Sequence, residues 1–275
     1  MTIPPEAAPF LRDWALAPDG PLITTHSSWV LPVRHGAEPA MLKVARIPDE
    51  QAGYRLMSWW NGQGAAKVIV ASDGALLMER AVGPLSLARM ARSGQDDEAC
   101  RILCRTAARL HAPRSGPLPE LNPLDRWFQP LFDLATSHPV LAPAAEQARR
   151  LLANQRDVRP LHGDLHHDNV LDFADRGWLA IDPHGLVGER TFDVANIFTN
   201  PDLGDPTYPV ATLPGRFEAR LDVVVAETGI DATRILEWIV AWTGLSAAWF
   251  IDDDDQRGAE IDLHIHGLAR QALGV

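Results

Sequence analysis

Residues 161–182 read LHGDLHHDNVLDFADRGWLAID, and the fold turns on how this stretch pairs with itself. Val170 to Phe173 is a short apolar run interrupted by Asp172. Ala174-Asp175-Arg176-Gly177 is polar and ends in Gly, and Trp178 to Ile181 is apolar again. Two apolar runs around a polar four-residue loop predict a β-hairpin. Paired about that loop, Phe173 faces Trp178, Val170 faces Ile181 and, one step further out, Asn169 faces Asp182. Opposed residues of an antiparallel pair stand about 4.5–5.5 Å apart, so an amide oxygen and a carboxylate are expected to converge at the open mouth. That pair suits Mg²⁺, a hard cation that takes oxygen ligands and is commonly shared with substrate phosphates.

Asp164 lies five residues before Asn169. Asp-x-x-x-x-Asn is the spacing of the kinase catalytic loop, in which Asp accepts the proton of the attacking hydroxyl and Asn holds metal. His162-Gly163-Asp164 stands where protein kinases have His-Arg-Asp, and Asp182-Pro183 where they have Asp-Phe-Gly. HGDLHHDN followed by IDPHGLVGE resembles the aminoglycoside phosphotransferase family, closest to its streptomycin 6-phosphotransferase and hydroxyurea-resistance branch. The resemblance spans nearly the whole chain and is strongest at 161–190 and 237–256.

The rest of the chain supplies further groups such a site needs. The segments 21–25, 28–33 and 40–46 read as a β-meander with Lys43 on its third strand, where a kinase places a cation on the α- and β-phosphates. The first turn, Thr25-His26-Ser27-Ser28, lacks the Gly-rich pattern; its small residues, Ser27 and Ser28, can cap a phosphate through hydroxyls and N–H groups. Pro48-Asp49-Glu50 opens a helix through Trp60, in which Glu50, in preference to Asp49, is expected to pair with Lys43. A second hairpin, 67–71 with 75–79, runs into an extended segment ending in Gly83-Pro84, a candidate hinge. From Leu85 the pattern is helical, with a core-facing stripe along 96–111.

The resemblance implies an α+β, bilobal, protein-kinase-like fold, with a β-rich nucleotide-binding lobe over residues 1–80 and a helical lobe over 81–275 carrying the catalytic loop, metal and acceptor sites. It implies transfer of the ATP γ-phosphoryl group to a hydroxyl of an aminoglycoside, with streptomycin and its 6-hydroxyl as the expected acceptor. Asp164 would act as base, Asn169 and Asp182 would hold Mg²⁺, and backbone groups of Glu79 and Ala81 would pair with adenine. Asp193 and His162 would brace the catalytic loop without doing chemistry. Trp249, Asp252 and Asp253 are the expected acceptor contacts, the acidic run 252–255 receiving guanidinium or ammonium groups. A kinase of another hydroxylated metabolite and a silent nucleotide-binding scaffold are the alternatives; the presence of Lys43, Asp164, Asn169 and Asp182 together argues against silence.

The chain has 275 residues, 46% hydrophobic and 22% charged, enough for a large core or two lobes. Net charge is −11, so there is no basic footprint for nucleic acid or an anionic membrane; by charge alone the acidity reads first as serving solubility, with attraction of a cationic small molecule as the functional alternative. No apolar run near 20 residues is evident, and the N-terminus lacks a basic start followed by an apolar core, so a cytoplasmic monomer or weak dimer is expected. Cys100 and Cys104, four apart in a helical stretch, read as buried thiols. His166 and His167 are adjacent and point apart, and their oxygen-rich neighbours favour Mg²⁺ over zinc.

Overall fold

The computed structural model describes residues 3–48 and 50–275. The chain opens with α1 (Ala8–Asp13) and the strands β1 (Leu16–Pro18), β2 (Ile23–Thr24), β3 (Ser28–His35) and β4 (Glu38–Ala45). Helix α2 (Glu50–Trp60) follows, then β5 (Val68–Ala71) and β6 (Ala75–Glu79). These strands form one antiparallel sheet, ordered β1-β3-β4-β6-β5 with β2 on the edge of β3. The meander, α2 and second hairpin stand where the sequence puts them.

Two-residue periodicity decides which way each side chain of β4 points. Ala40, Leu42 and Val44 face a small outer core with Leu31, Val33 and Leu77, covered by Phe10, Leu11 and Trp14. Lys43 therefore falls on the opposite face, towards α2, where it is 3% exposed.

The second half is helical: α3 (Leu87–Met90), a π-turn at 91–95, α4 (Asp96–His111), α5 (Leu124–Trp127), α6 (Gln129–Leu134) and α7 (Ala142–Leu152). After the catalytic segment come α8 (Thr191–Ala195), α9 (Arg216–Thr228), α10 (Ala232–Asp252) and α11 (Gln256–Leu273). Three short strands, β7 (Asn122–Pro123), β8 (Val158–Leu161) and β11 (Leu186–Glu189), form a ribbon ordered β7-β11-β8, and β9 (Val170–Asp172) pairs with β10 (Trp178–Ala180).

Helix α10 is the axle of this half. At 21 residues it is long and apolar enough to cross a membrane, contrary to the sequence expectation, yet 72% of that stretch is buried in the fold. It packs on α11, α7, α8 and α6, with Trp238 and Trp242 in the main core. Cys100 and Cys104 are free, buried thiols on α4; burial pushes the Cys100 thiol up to about 12, which leaves it unreactive. The main core runs on into α2 through Tyr54, Leu56, Met57 and Trp60, so one apolar body joins the sheet half to the helical half.

Candidate active site

Strand β8 delivers His162, Gly163 and Asp164 to the cleft, and Asp193 on α8 holds them there. Its carboxylate accepts from the N–H groups of His162 (2.9 Å) and Gly163 (2.8 Å) and lies 2.8 Å from His111 Nε2. Gly163 has φ 87°, and a Cβ there would meet Leu186 at 2.8 Å, so the tight turn excludes a side chain. His162 is fully buried. Its Nε2 donates to Ile181 O (2.7 Å) while Nδ1 accepts from Asp164 N (3.2 Å), the pattern of a neutral imidazole. Burial lowers its pKa accordingly.

The hairpin forms one residue out of the expected register. Trp178 pairs with Asp172, Leu179 with Leu171 and Ala180 with Val170. Phe173 thus leaves the ladder for a five-residue loop, in which Ala174 (φ 53°) and Gly177 (φ 71°) are left-handed. Asp172 accepts from Ala174 N at 2.9 Å, a side-chain turn that the apolar pattern could not show. Asn169 O consequently receives Ile181 N (2.9 Å), not a group of Asp182. Asp182 follows with φ 61°, a kink that re-aims its carboxylate into the cleft between the two halves.

Lys43 Nζ lies 2.5 Å from Glu50 and also contacts Asp182, so a cation on β4 joins carboxylates from α2 and from the end of the hairpin. Asp49 lies outside the described residues. Ser27 lines the cleft of about 540 Å³ that contains Glu50, Asp164 and Asp182. Ser28 does not: it opens β3, is fully buried, and its N–H is taken by Thr25 Oγ1 (3.0 Å). The N–H of Glu79 bonds Lys67 O (3.0 Å), and its carboxylate accepts from Lys67 N (2.5 Å) and contacts Arg176.

Asp164 belongs to both clefts. A second hollow, about 320 Å³, lies on the helical side and is shared by Asp164, His166, Asn196, Asn200, Trp242 and Trp249. Trp249 lines this hollow, whereas Asp252, the last residue of α10, and Asp253, the next, are exposed and do not line it. The acidic run has another cause. Asp255 caps α11, accepting from Gly258 N at 3.0 Å, so the run is followed at once by the positive end of a second helix dipole, which offsets the negative end of α10.

Burial alone would raise the Asp164 carboxyl, but the imidazoles of His166, His184 and His162 outweigh it and hold the group far below the usual carboxylate range. His166 Nε2 stands 3.3 Å from Asp164 Oδ2. Burial lowers the His166 pKa, and Asp164 more than restores it. Sequence reasoning considered His166 only as a metal ligand and missed Asn196. The available signal was spacing: Asp193 and Asn196, three apart on a helical turn, face the same loop.

Asn169 Nδ2 donates to Asp164 O (2.9 Å) and Oδ2 (3.0 Å), leaving its Oδ1 as an available acceptor. The Asn169 amide oxygen and the Asp182 carboxylate are oxygen donors of the kind Mg²⁺ takes while completing its shell with phosphates and water. Among the described residues no group of three His, Cys, Asp or Glu is placed to hold a metal.

A sequence pattern describing aminoglycoside/hydroxyurea antibiotic resistance kinases matches residues 13–254. A streptomycin 3''-kinase of Klebsiella pneumoniae is 70% identical over 96% of this chain and 100% of its own length. A streptomycin 6-kinase of Streptomyces glaucescens is 30% identical over 88% of this chain and 81% of its own. Among solved structures, a ternary complex of the aminoglycoside phosphotransferase APH(4)-Ia with AMP-PNP and hygromycin B superimposes with TM-score 0.70 at 13% identity, covering 98% and 99% of the two chains. A choline/ethanolamine kinase family protein from Mesorhizobium loti gives TM-score 0.66 at 13% identity, covering 96% and 92%. Both show the same bilobal kinase fold.

Proposed function

The chain belongs to the aminoglycoside/hydroxyurea antibiotic resistance kinase family, and on that footing we propose that it transfers the γ-phosphoryl group of ATP to the 3''-hydroxyl of streptomycin in the cytoplasm. The observation that carries the reading is the placement of Asp164 at the junction of the two clefts. The larger is lined by Glu50 and Asp182, the two carboxylates that Lys43 joins, and the smaller has aromatic walls suited to a bulky acceptor.

In this reading the acceptor enters beside Trp242 and Trp249 and sets its hydroxyl against Asp164. Lys43, aligned by Glu50, holds the α- and β-phosphates. Asn169 and Asp182 hold Mg²⁺, which when bound neutralises charge on the phosphates. The hydroxyl oxygen bonds to the γ-phosphorus as the β–γ bridging P–O bond breaks, ADP leaves, and the proton passes to Asp164. A carboxylate held so far down is a weak base. It orients the hydroxyl first and takes the proton only as the new P–O bond makes that proton acidic.

The 3''-position is supported by the 70% identical relative, a streptomycin 3''-kinase. The 6-hydroxyl is the second reading, favoured by the more distant 6-kinases. Mass spectrometry of streptomycin incubated with Mg-ATP and the protein should show one added phosphate. Phosphorus–proton correlation spectroscopy should place it on the N-methylglucosamine ring. A phosphate on the streptidine ring supports the second reading, and turnover of an uncharged metabolite in place of streptomycin defeats both.

A further inference from the structure

The polar contacts on the Asp164 carboxylate are unevenly divided. A carboxylate offers about four lone-pair sites, two on each oxygen. Oδ2 accepts from Asn169 Nδ2 at 3.0 Å and has His166 Nε2 3.3 Å away as a second polar contact. Oδ1 receives Asn196 Nδ2 at 2.8 Å, which leaves it one site. Asp164, Asn196 and Asn200 all border the smaller cleft, the side where the acceptor is read to enter.

Asn196 is held in one orientation. Its Oδ1 accepts from Asn200 Nδ2 at 3.0 Å. Flipping the amide would set two oxygens together at Asp164 and two NH₂ groups together at Asn200. The segment carrying both is pinned by Arg220, a fully buried guanidinium on α9. Its Nη1 donates to Ile197 O (2.8 Å) and Asn200 O (2.7 Å), and its Nε and Nη2 grip Asp96 of α4 at 2.9 and 2.7 Å. Helices α9 and α4 thus hold the segment whose Asn196 amide meets the catalytic loop at Asp164.

We propose that Asn196 is a positioning residue for phosphoryl transfer: it fixes Asp164 so that Oδ1 is the atom that takes the acceptor's proton, and Asn200 acts through it. This rests on the kinase reading above and adds to it which carboxylate oxygen works and what aims it.

The test is a mutant cycle with turnover and ATP affinity measured separately. Asn196→Ala should lower kcat about 10- to 100-fold, the loss of one hydrogen bond to a charged group, with the KM for ATP unchanged. Asn196→Asp keeps the shape and can still accept from Asn200 but gives Asp164 no donor at neutral pH; it should lose at least as much. Asn200→Ala should lower kcat less, and the Asn196→Ala/Asn200→Ala double variant should be no worse than Asn196→Ala alone. Native kcat in Asn196→Asp, a double variant losing the product of the two single effects, or a KM for ATP rising in step with the loss would each overturn the proposal. Every variant is also assayed for slow Mg-ATP hydrolysis, in which water replaces the acceptor. Native protein that hydrolyses ATP but leaves streptomycin untouched defeats the acceptor reading, while the cycle still decides the role of Asn196.

Discussion

Asp164→Asn keeps the size of the side chain and removes the proton acceptor. General-base contributions are about 10²–10⁴-fold, and kcat should fall within that range. ATP affinity, measured by calorimetry, should hold or rise slightly, because one negative charge beside the phosphates is gone. Turnover at the native rate would show that Asp164 is not the base. Asp262 on α11 makes a different case. It is fully buried, and neither carboxylate oxygen has a hydrogen-bond partner among the described residues. Burial pushes its pKa well above the ordinary 3.8, an effect that the nearby Ser246 hydroxyl offsets only in part. A raised folded pKa means that the unfolded chain ionises first, so this group lowers stability progressively as pH climbs above about 4. Asp262→Asn removes that term. The gain in Tm over native protein should grow from pH 5 to pH 8, and a difference independent of pH would mean that Asp262 is not held protonated in the fold.

Glycine decides how closely α2 approaches the catalytic segment. A Cβ on Gly53 would meet Pro183 O at 2.1 Å, and one on Gly185 would meet Ala52 C at 2.4 Å. Helix propensity alone favours Gly53→Ala by about 1 kcal/mol, yet the clash should push α2 outward and carry Glu50 away from Lys43. The expected result is a raised KM for ATP and a lower kcat. A variant that is more stable and fully active would show that the approach has slack. The element scale also marks what the sequence could reveal. Strands, α2 and the core stripe of α4 were legible because their apolar periods are clean. The register of the β9–β10 hairpin was not, because it depends on a side-chain turn made by Asp172 and on left-handed backbone at Ala174 and Asp182, none of which leaves a mark in hydrophobicity. The catalytic motif itself was legible because its spacing is local. Asn196 was not, because its meaning comes from Asn200, Arg220 and Asp96, which only the tertiary fold brings to the same place. The run 252–255 read as a ligand site because its compensation, the start of α11 at Gln256, lies in an apparently featureless stretch.

Across the whole molecule the two halves are joined by apolar packing, by polar contacts such as Glu79 with Arg176, and by a bridge of Glu50 and Asp182 about one cation. Trp60 of α2 donates to Leu110 O (3.1 Å), and Ala66 and Ala180 exchange backbone bonds with the opposite half, so the lobes stay docked without the bridge. Lys43 is the centre of that bridge. Its partners differ in exposure: the Glu50 side chain is 10% exposed and that of Asp182 45%. Lys43→Ala strands the Glu50 charge in a nearly dry place, and breaking a buried pair in this way costs about 3–5 kcal/mol. Water around Asp182 moderates its share of the loss. Tm should fall, and ATP binding and turnover should fall with it. A single variant cannot tell lost stability from lost phosphate binding, and a second substitution can. Lys43→Ala/Glu50→Gln has no stranded charge in α2 and should recover most of the lost Tm. Turnover should stay as low as in Lys43→Ala, because the cation for the phosphates is still missing. Recovery of turnover along with Tm would mean that Lys43 only balances Glu50, and that the phosphates are held by other groups in the cleft.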